Sequence, residues 1–225
     1  MGSLLIIGCF VSFGFAEENS MDLPKVRLET NFGNILVELN TPAAPKTVEN
    51  FLSYVNDGFY NNTIFHRVIK SFMIQGGGFT ENMKQKSTQA AIPNEANNGL
   101  QNFRGSIAMA RTSAPHSATS QFFINTVNND SLDFTAKTGR GWGYCVFGKV
   151  IDGMDVVDAI EKQPVTFKNP HRDVPVSPVF IKNAVVVNFP KTRPVSDIHK
   201  DKNKPENHSV ENTLIRENSD GKTSN

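Results

Sequence analysis

Strand-length apolar runs recur along most of this chain, and clusters of Gly, Asn and Pro keep each of them short. Val26 and Leu28 alternate with charged neighbours, Asn31-Phe32-Gly33-Asn34 supplies turn chemistry, and Ile35, Val37 and Leu39 alternate again. This predicts an opening β-hairpin. Further strand patterns stand at 63–68, 72–75, 106–110, 121–125, 144–150 and 179–187, the spacing left by a closed antiparallel sheet. Two helical patterns interrupt them. Pro42 and Pro45 mark a break and a first helical turn, after which Val48, Phe51, Leu52 and Val55 follow helical spacing up to Gly58. Asp152-Gly153 is expected to cap a second helix that carries Met154, Val157 and Ile160. Helices over both mouths of a closed sheet leave its interior packed, so a ligand has to bind on the outside.

The run from Ile64 to Phe79 sets one guanidinium and one amide among bulky apolar groups. Arg67, Phe72 and Gln75 share a face if the segment is extended with an irregularity near Lys70-Ser71. The same alternation turns His66 away from a face shared by Phe65 and Arg67. None of these groups is a nucleophile, and an Arg between Phe and Val is also what an amphipathic stem on a barrel surface looks like. Gly76-Gly77-Gly78 is followed by no Lys-Ser/Thr pair, so tight backbone packing beside a groove suits it better than a phosphate loop. His66, His116 and His171 lack metal-ligand spacing, and neither a metal nor another cofactor is expected. Asp130 and Asp133 stand among Asn and Ser, where turn capping is the usual role.

A second segment, Ser106 to Asn125, contains Ala110-Arg111-Thr112 and Gln121-Phe122-Phe123-Ile124-Asn125. It resembles one signature of the cyclophilins, and Phe65-His66-Arg67-Val68 with Phe72-Met73 and Gln75-Gly76-Gly77 resembles another. The resemblance extends over about residues 24–189 and is strongest to the bacterial type, with Gly141-Trp142-Gly143-Tyr144-Cys145-Val146-Phe147. It implies a mainly β fold, a closed eight-stranded antiparallel barrel capped by two α-helices, with the substrate groove outside. It also implies peptidyl-prolyl cis/trans isomerase activity. Arg67, Phe72 and Gln75 are then catalytic, and Met73, Ala110, Arg111, Phe123, Leu132 and Tyr144 bind substrate. Arg111 would do so through its main chain. Ser131 stands where many eukaryotic members carry Trp, and Tyr144 where they carry His, so only weak binding of cyclosporin is expected. The rival reading is a noncatalytic cyclophilin-like peptide-binding module or chaperone, which would have lost the Arg-Phe-Gln set. This chain keeps it.

Net charge is only +1, with 23 basic against 22 acidic residues, which gives no electrostatic case for nucleic acid. X-Pro peptides and unfolded or nascent exported proteins are the expected partners, of a monomer. Residues 1–16 carry no charge and hold an apolar run from Leu4 to Phe15, with Gly14 and Ala16 as small residues before a cut. A signal peptide and a periplasmic or secreted protein are expected. The alternative is a lipoprotein anchored through Cys9. Cys145 is the other cysteine, so after cleavage no internal disulfide can form, and a buried inert thiol is expected. In residues 190–225 Lys and Arg interleave with Asp and Glu without apolar periodicity, the composition of a disordered polar tail.

Overall fold

In the computed structural model, which describes residues 23–187, the alternating segments pair as expected. Strands β1 (Lys25–Thr30) and β2 (Gly33–Leu39) form the opening hairpin and bury Val26, Leu28, Ile35, Val37 and Leu39 on one face. The remaining strands are β3 (Thr63–Ile64), β4 (Arg67–Ile69), β5 (Met73–Gly76), β6 (Ser106–Met109), β7 (Phe122–Asn125), β8 (Val146–Asp152), β9 (Val165–Lys168), β10 (His171–Pro175) and β11 (Phe180–Val187). Nine of them make one curled antiparallel sheet in the order β3-β11-β1-β2-β8-β6-β7-β5-β4, while β9 and β10 pair only with each other. The expected closed eight-stranded barrel is therefore corrected to a nine-stranded half-barrel. The chain bends at Phe65-His66, so one expected strand becomes two. Its first half pairs with β11 and its second with β5.

Helix α1 (Pro45–Asn56) starts with Pro inside its first turn and buries Val48, Phe51, Tyr54 and Val55. Ala44 at its N-cap has no side chain to offer the orphan amides. Glu95 supplies the partner from a distant loop. Its carboxylate accepts from the Lys46 and Thr47 backbone N–H groups at 3.2 and 2.8 Å and from the Thr47 hydroxyl at 2.7 Å. Helix α2 (Met154–Glu161) buries Val157 and Ile160. The expected Asp152 cap is not used: Asp152 ends β8, and Gly153 takes the N-cap position with no side-chain bond. Only glycine fits there, because φ is +87° and a Cβ would lie 2.2 Å from the Asn34 carbonyl oxygen.

The interior is aromatic. Phe51 and Tyr60 each meet Phe122 edge to face, at 5.6 and 5.5 Å between ring centroids, and the buried Tyr60 hydroxyl donates to the Ser120 carbonyl at 2.8 Å. Strand alternation then separates two apolar clusters. Phe122 and Ile124 join the large core, whereas Phe123, Met73, Ala108 and Val146 form a smaller cluster with Phe72, Ala110, Leu132 and Tyr144 packed against it. The interior is filled, as the two helices required, and the smaller cluster faces the groove.

Candidate active site

Strands β4 and β5 are joined by a tight turn in which Ser71 adopts φ +55°, the irregularity expected near Lys70-Ser71. The ladder sets Arg67 opposite Gln75 and Ile69 opposite Met73. Cross-strand partners project to the same side, so the guanidinium and the amide meet. Arg67 Nη1 donates to Gln75 Oε1 at 3.4 Å, and Gln75 Nε2 donates to Gln121 Oε1 at 3.0 Å. Asp173 on β10 reaches the other side of the guanidinium, with Oδ2 3.9 Å from Arg67 Nε. The Gln75 bond takes one of the five guanidinium donors, and Asp173 at 3.9 Å adds an ion pair without a hydrogen bond.

The pair stands at the edge of a groove of about 670 Å³. All nine expected site residues line it: Arg67, Phe72 and Gln75 with Met73, Ala110, Arg111, Phe123, Leu132 and Tyr144. Phe123 and Tyr144 meet edge to face at 5.6 Å, and with Met73 and Leu132 they make an apolar floor of the size that holds a small ring. The Arg111 side chain is already engaged. Its Nε donates to the Gly143 carbonyl at 2.8 Å, and its guanidinium lies 4.6 Å from the Tyr144 ring centroid. The Ala110 N–H is also engaged, donating to the Gln121 carbonyl at 2.9 Å, which leaves the Arg111 main chain for a peptide.

Buried amides fix the Phe72 and Leu132 walls. Asn125 Nδ2 donates to Ser106 Oγ at 2.8 Å and to Asn102 Oδ1 at 3.2 Å, and Asn125 Oδ1 accepts from Asn129 Nδ2 at 2.7 Å. Asn129 also donates to the Phe72 carbonyl at 2.9 Å, and Asp133 accepts from the backbone and the side chain of Asn102 at 2.7 and 2.9 Å. Asp133 thus ties two distant loops together rather than capping the local turn expected of it. Ser131 is exposed in the short 3-10 turn Asp130–Leu132 and Leu132 turns inward, so the groove lacks a large side chain at that corner.

The three glycines after β5 are packing residues. A Cβ at Gly76 would lie 3.0 Å from Phe65, at Gly77 2.8 Å from both Tyr60 and Phe122, and at Gly78 2.5 Å from Gln121. Side chains there would push the core apart or displace the glutamine that holds Gln75. Cys145 is buried, and burial pushes its thiol up to about 11. It is the inert thiol the sequence suggested.

His66 requires a correction. It does not turn away from the groove: His66 lines it together with Arg67, while Phe65 enters the main core. Period-two alternation fails because residues 65 and 66 form the bend between β3 and β4. Also unforeseen were Phe79, Gln121 and the stretch Pro170 to Asp173, which line the groove as well. His66 meets the Phe79 ring at 4.5 Å in a tilted pair and His171 meets it edge to face at 5.1 Å, so the β9–β10 hairpin closes one side of the site.

Burial, with His171 nearby, lowers the His66 pKa to about 4, against about 6.5 for an unperturbed histidine. The unfolded chain therefore binds one more proton than the folded chain between these values. Stability is retained above pH 6.5 and is lost as the pH falls toward 4, by up to about 3 kcal/mol from this group. Urea midpoints of wild type and His66→Phe, compared at pH 7, 5 and 4, should converge or cross on acidification. A parallel decline of the two proteins would contradict this account.

Comparison with known proteins gives concordant results. The family described as "Cyclophilin type peptidyl-prolyl cis-trans isomerase/CLD" matches residues 25–186. Peptidyl-prolyl cis-trans isomerase B of Escherichia coli (strain K12) is 58% identical over 161 residues, 72% of this chain and 98% of that protein. Peptidyl-prolyl cis-trans isomerase cyp18 of Streptomyces antibioticus is 59% identical over 162 residues, again 72% of this chain and 98% of that protein. Among solved structures, a cyclophilin type peptidyl-prolyl cis-trans isomerase of Cryptosporidium parvum, crystallised in the presence of the dipeptide Ala-Pro, superposes with a TM-score of 0.63 at 31% identity. The match takes in 73% of this chain and 99% of that one.

Proposed function

This chain belongs to the cyclophilin-type peptidyl-prolyl cis-trans isomerases, and we propose that Arg67, held between Gln75 and Asp173 at the rim of an apolar pocket, carries its catalysis. The bond before proline keeps partial double-bond character, and rotation about a peptide bond meets a barrier of about 18–20 kcal/mol. X-Pro exchange consequently takes tens to hundreds of seconds when uncatalysed. No covalent bond has to form. What has to weaken is the delocalisation of the nitrogen lone pair into the carbonyl. A donor directed at the proline nitrogen favours the pyramidal nitrogen of the twisted amide over the planar one, and an arginine supplies that donor at any physiological pH.

The other residues make this donor effective. Phe72, Met73, Phe123 and Leu132 take the pyrrolidine ring and exclude water, which strengthens the interaction in the twisted state. Gln75, oriented by Gln121, bonds the substrate backbone next to the rotating amide. Arg111 pairs with the peptide along its main chain, Ala110 lines the groove beside it, and Tyr144 offers an aromatic face. The observation that carries the reading is the register pairing of Arg67 with Gln75 beside the small outer apolar cluster. Exchange spectroscopy on blocked X-Pro peptides tests it. The full chain should accelerate exchange for several residues X, after chelator treatment as before it. Binding without acceleration would favour a noncatalytic peptide-binding module.

The same geometry bears on inhibition. Ser131 gives the groove no aromatic wall at its corner, so cyclosporin should inhibit weakly, and Ser131→Trp should strengthen inhibition by roughly 1–3 kcal/mol by adding apolar area and an indole donor. Titration of both proteins in the exchange assay measures the difference. Tight inhibition of the unsubstituted chain would contradict the expectation.

For placement, the proposal rests on residues outside the described ones: the Leu4–Phe15 run directs export, and cleavage after Ala16 releases a monomeric folding helper for exported chains. Intact mass of the mature protein is then that of a chain starting at Glu17. A lipidated Cys9 would make it an anchored lipoprotein instead. The polar tail proposed for residues 190–225 also lies outside the described residues.

A further inference from the structure

The wall that β9 and β10 give the groove has a second side. Beyond Asp173 lies another open concavity, of about 430 Å³, lined by Val165, Thr166, Phe167, Arg172 and Asp173. Arg172 and Asp173 border both spaces, so the second adjoins the groove at the β9–β10 hairpin, on the side where Asp173 faces Arg67. Its surface is unusually apolar for so short a hairpin. Six large hydrophobic residues are exposed among the described residues, and Val165, Phe167 and Val176 all belong to this hairpin or adjoin it. Phe167 is the most exposed of the six, at 58%. A phenyl ring held in water beside a substrate groove is a contact waiting for an apolar partner.

We propose that this concavity is a second substrate subsite, which takes an apolar side chain a few positions away from the proline in the bound peptide. The inference rests on the reading of the main groove as the X-Pro site. Continuity decides the occupant: an extended peptide leaving the groove past Arg67 and Asp173 meets Phe167 and Val165 next. A second copy of the chain fits less well, because three side chains fall far short of the roughly 800 Å² per partner of a stable interface. Arg172 lies 5.9 Å from the Phe167 ring centroid and Asp173 faces Arg67, so three of the five lining side chains, Val165, Thr166 and Phe167, carry no charge and favour apolar surface.

The test uses the full chain and two series of blocked peptides around an Ala-Pro core, one extended before the core and one after it, with Leu or Ala placed in turn at each added position. In one series Leu should raise kcat/KM about tenfold over Ala, the gain expected for burying one such side chain. Phe167→Ser should bring that Leu-to-Ala ratio close to one, Val165→Ser should lower it in part, and the Leu methyls should show transferred Overhauser contacts to the Phe167 ring. A ratio near one in both series, or a tenfold ratio that Phe167→Ser leaves in place, overturns the proposal. So does a dimer at assay concentration that Phe167→Ser dissolves, since the patch would then belong to a second copy. A wild-type chain that accelerates neither Ala nor Leu peptides would instead remove the groove reading itself, a result separable from loss of the ratio alone.

Discussion

Arg67→Ala should lower kcat/KM for X-Pro exchange by about 10²–10³-fold, the effect of removing one donor aimed at charge that develops in the transition state. The loss should fall on kcat. Arg67 acts on the twisted amide, whereas the planar ground state is held by the apolar floor and by Gln75. Folding should survive, because the Arg67 side chain is 42% exposed and its partners Gln75 and Asp173 can reach water. Arg67→Lys should recover little, since an ammonium cannot face Gln75, Asp173 and the substrate nitrogen at once with a planar fork. The measurement is exchange spectroscopy under saturating peptide, with the melting temperature recorded in parallel. Near wild-type kcat in Arg67→Ala would eliminate the proposed mechanism.

The second large effect lies beneath the groove. Asn125→Leu keeps the branching of the side chain without its polar atoms and should destabilise the protein by roughly 4 kcal/mol, because Asn102, Ser106 and Asn129 each lose a partner in a buried setting. For a domain of this size that is a fall of about 10 °C in melting temperature. KM should rise as well, since Asn129, once released, leaves the Phe72 carbonyl to the Thr126 N–H and loosens that wall. Calorimetry and the exchange assay on the same sample test both parts. A variant within about 1 kcal/mol of wild type would show that the network adds little to stability.

Much of this was legible in the sequence, and the gaps have physical causes. Val26, Leu28, Ile35, Val37 and Leu39 announced their hairpin because one face is buried and the other wet, the condition under which period two is visible. The nine site residues were recognisable through family resemblance, and the structure brings them into one groove. The bend at Phe65-His66 was hidden, because a strand that changes partner halfway keeps its apolar composition. The β9–β10 hairpin was hidden for the opposite reason. Val165 to Lys168 lie largely in solvent, so no burial pattern marked them. Pro170, His171, Arg172 and Asp173 reach the groove only by tertiary docking, which no local pattern encodes. The cap on α1 comes from Glu95, a partner that no window around Pro45 contains.

Strands β1 and β11 lie side by side, with Lys25 the register partner of Val187. The two ends of the folded unit thus leave from one place, and neither strand contributes a residue to the groove. A short linker could join these ends and new ones be opened elsewhere, giving a circular permutant with the same ladders. By the same geometry the unit can be spliced into a surface loop of a host protein, as a cassette whose working face stays clear of both junctions.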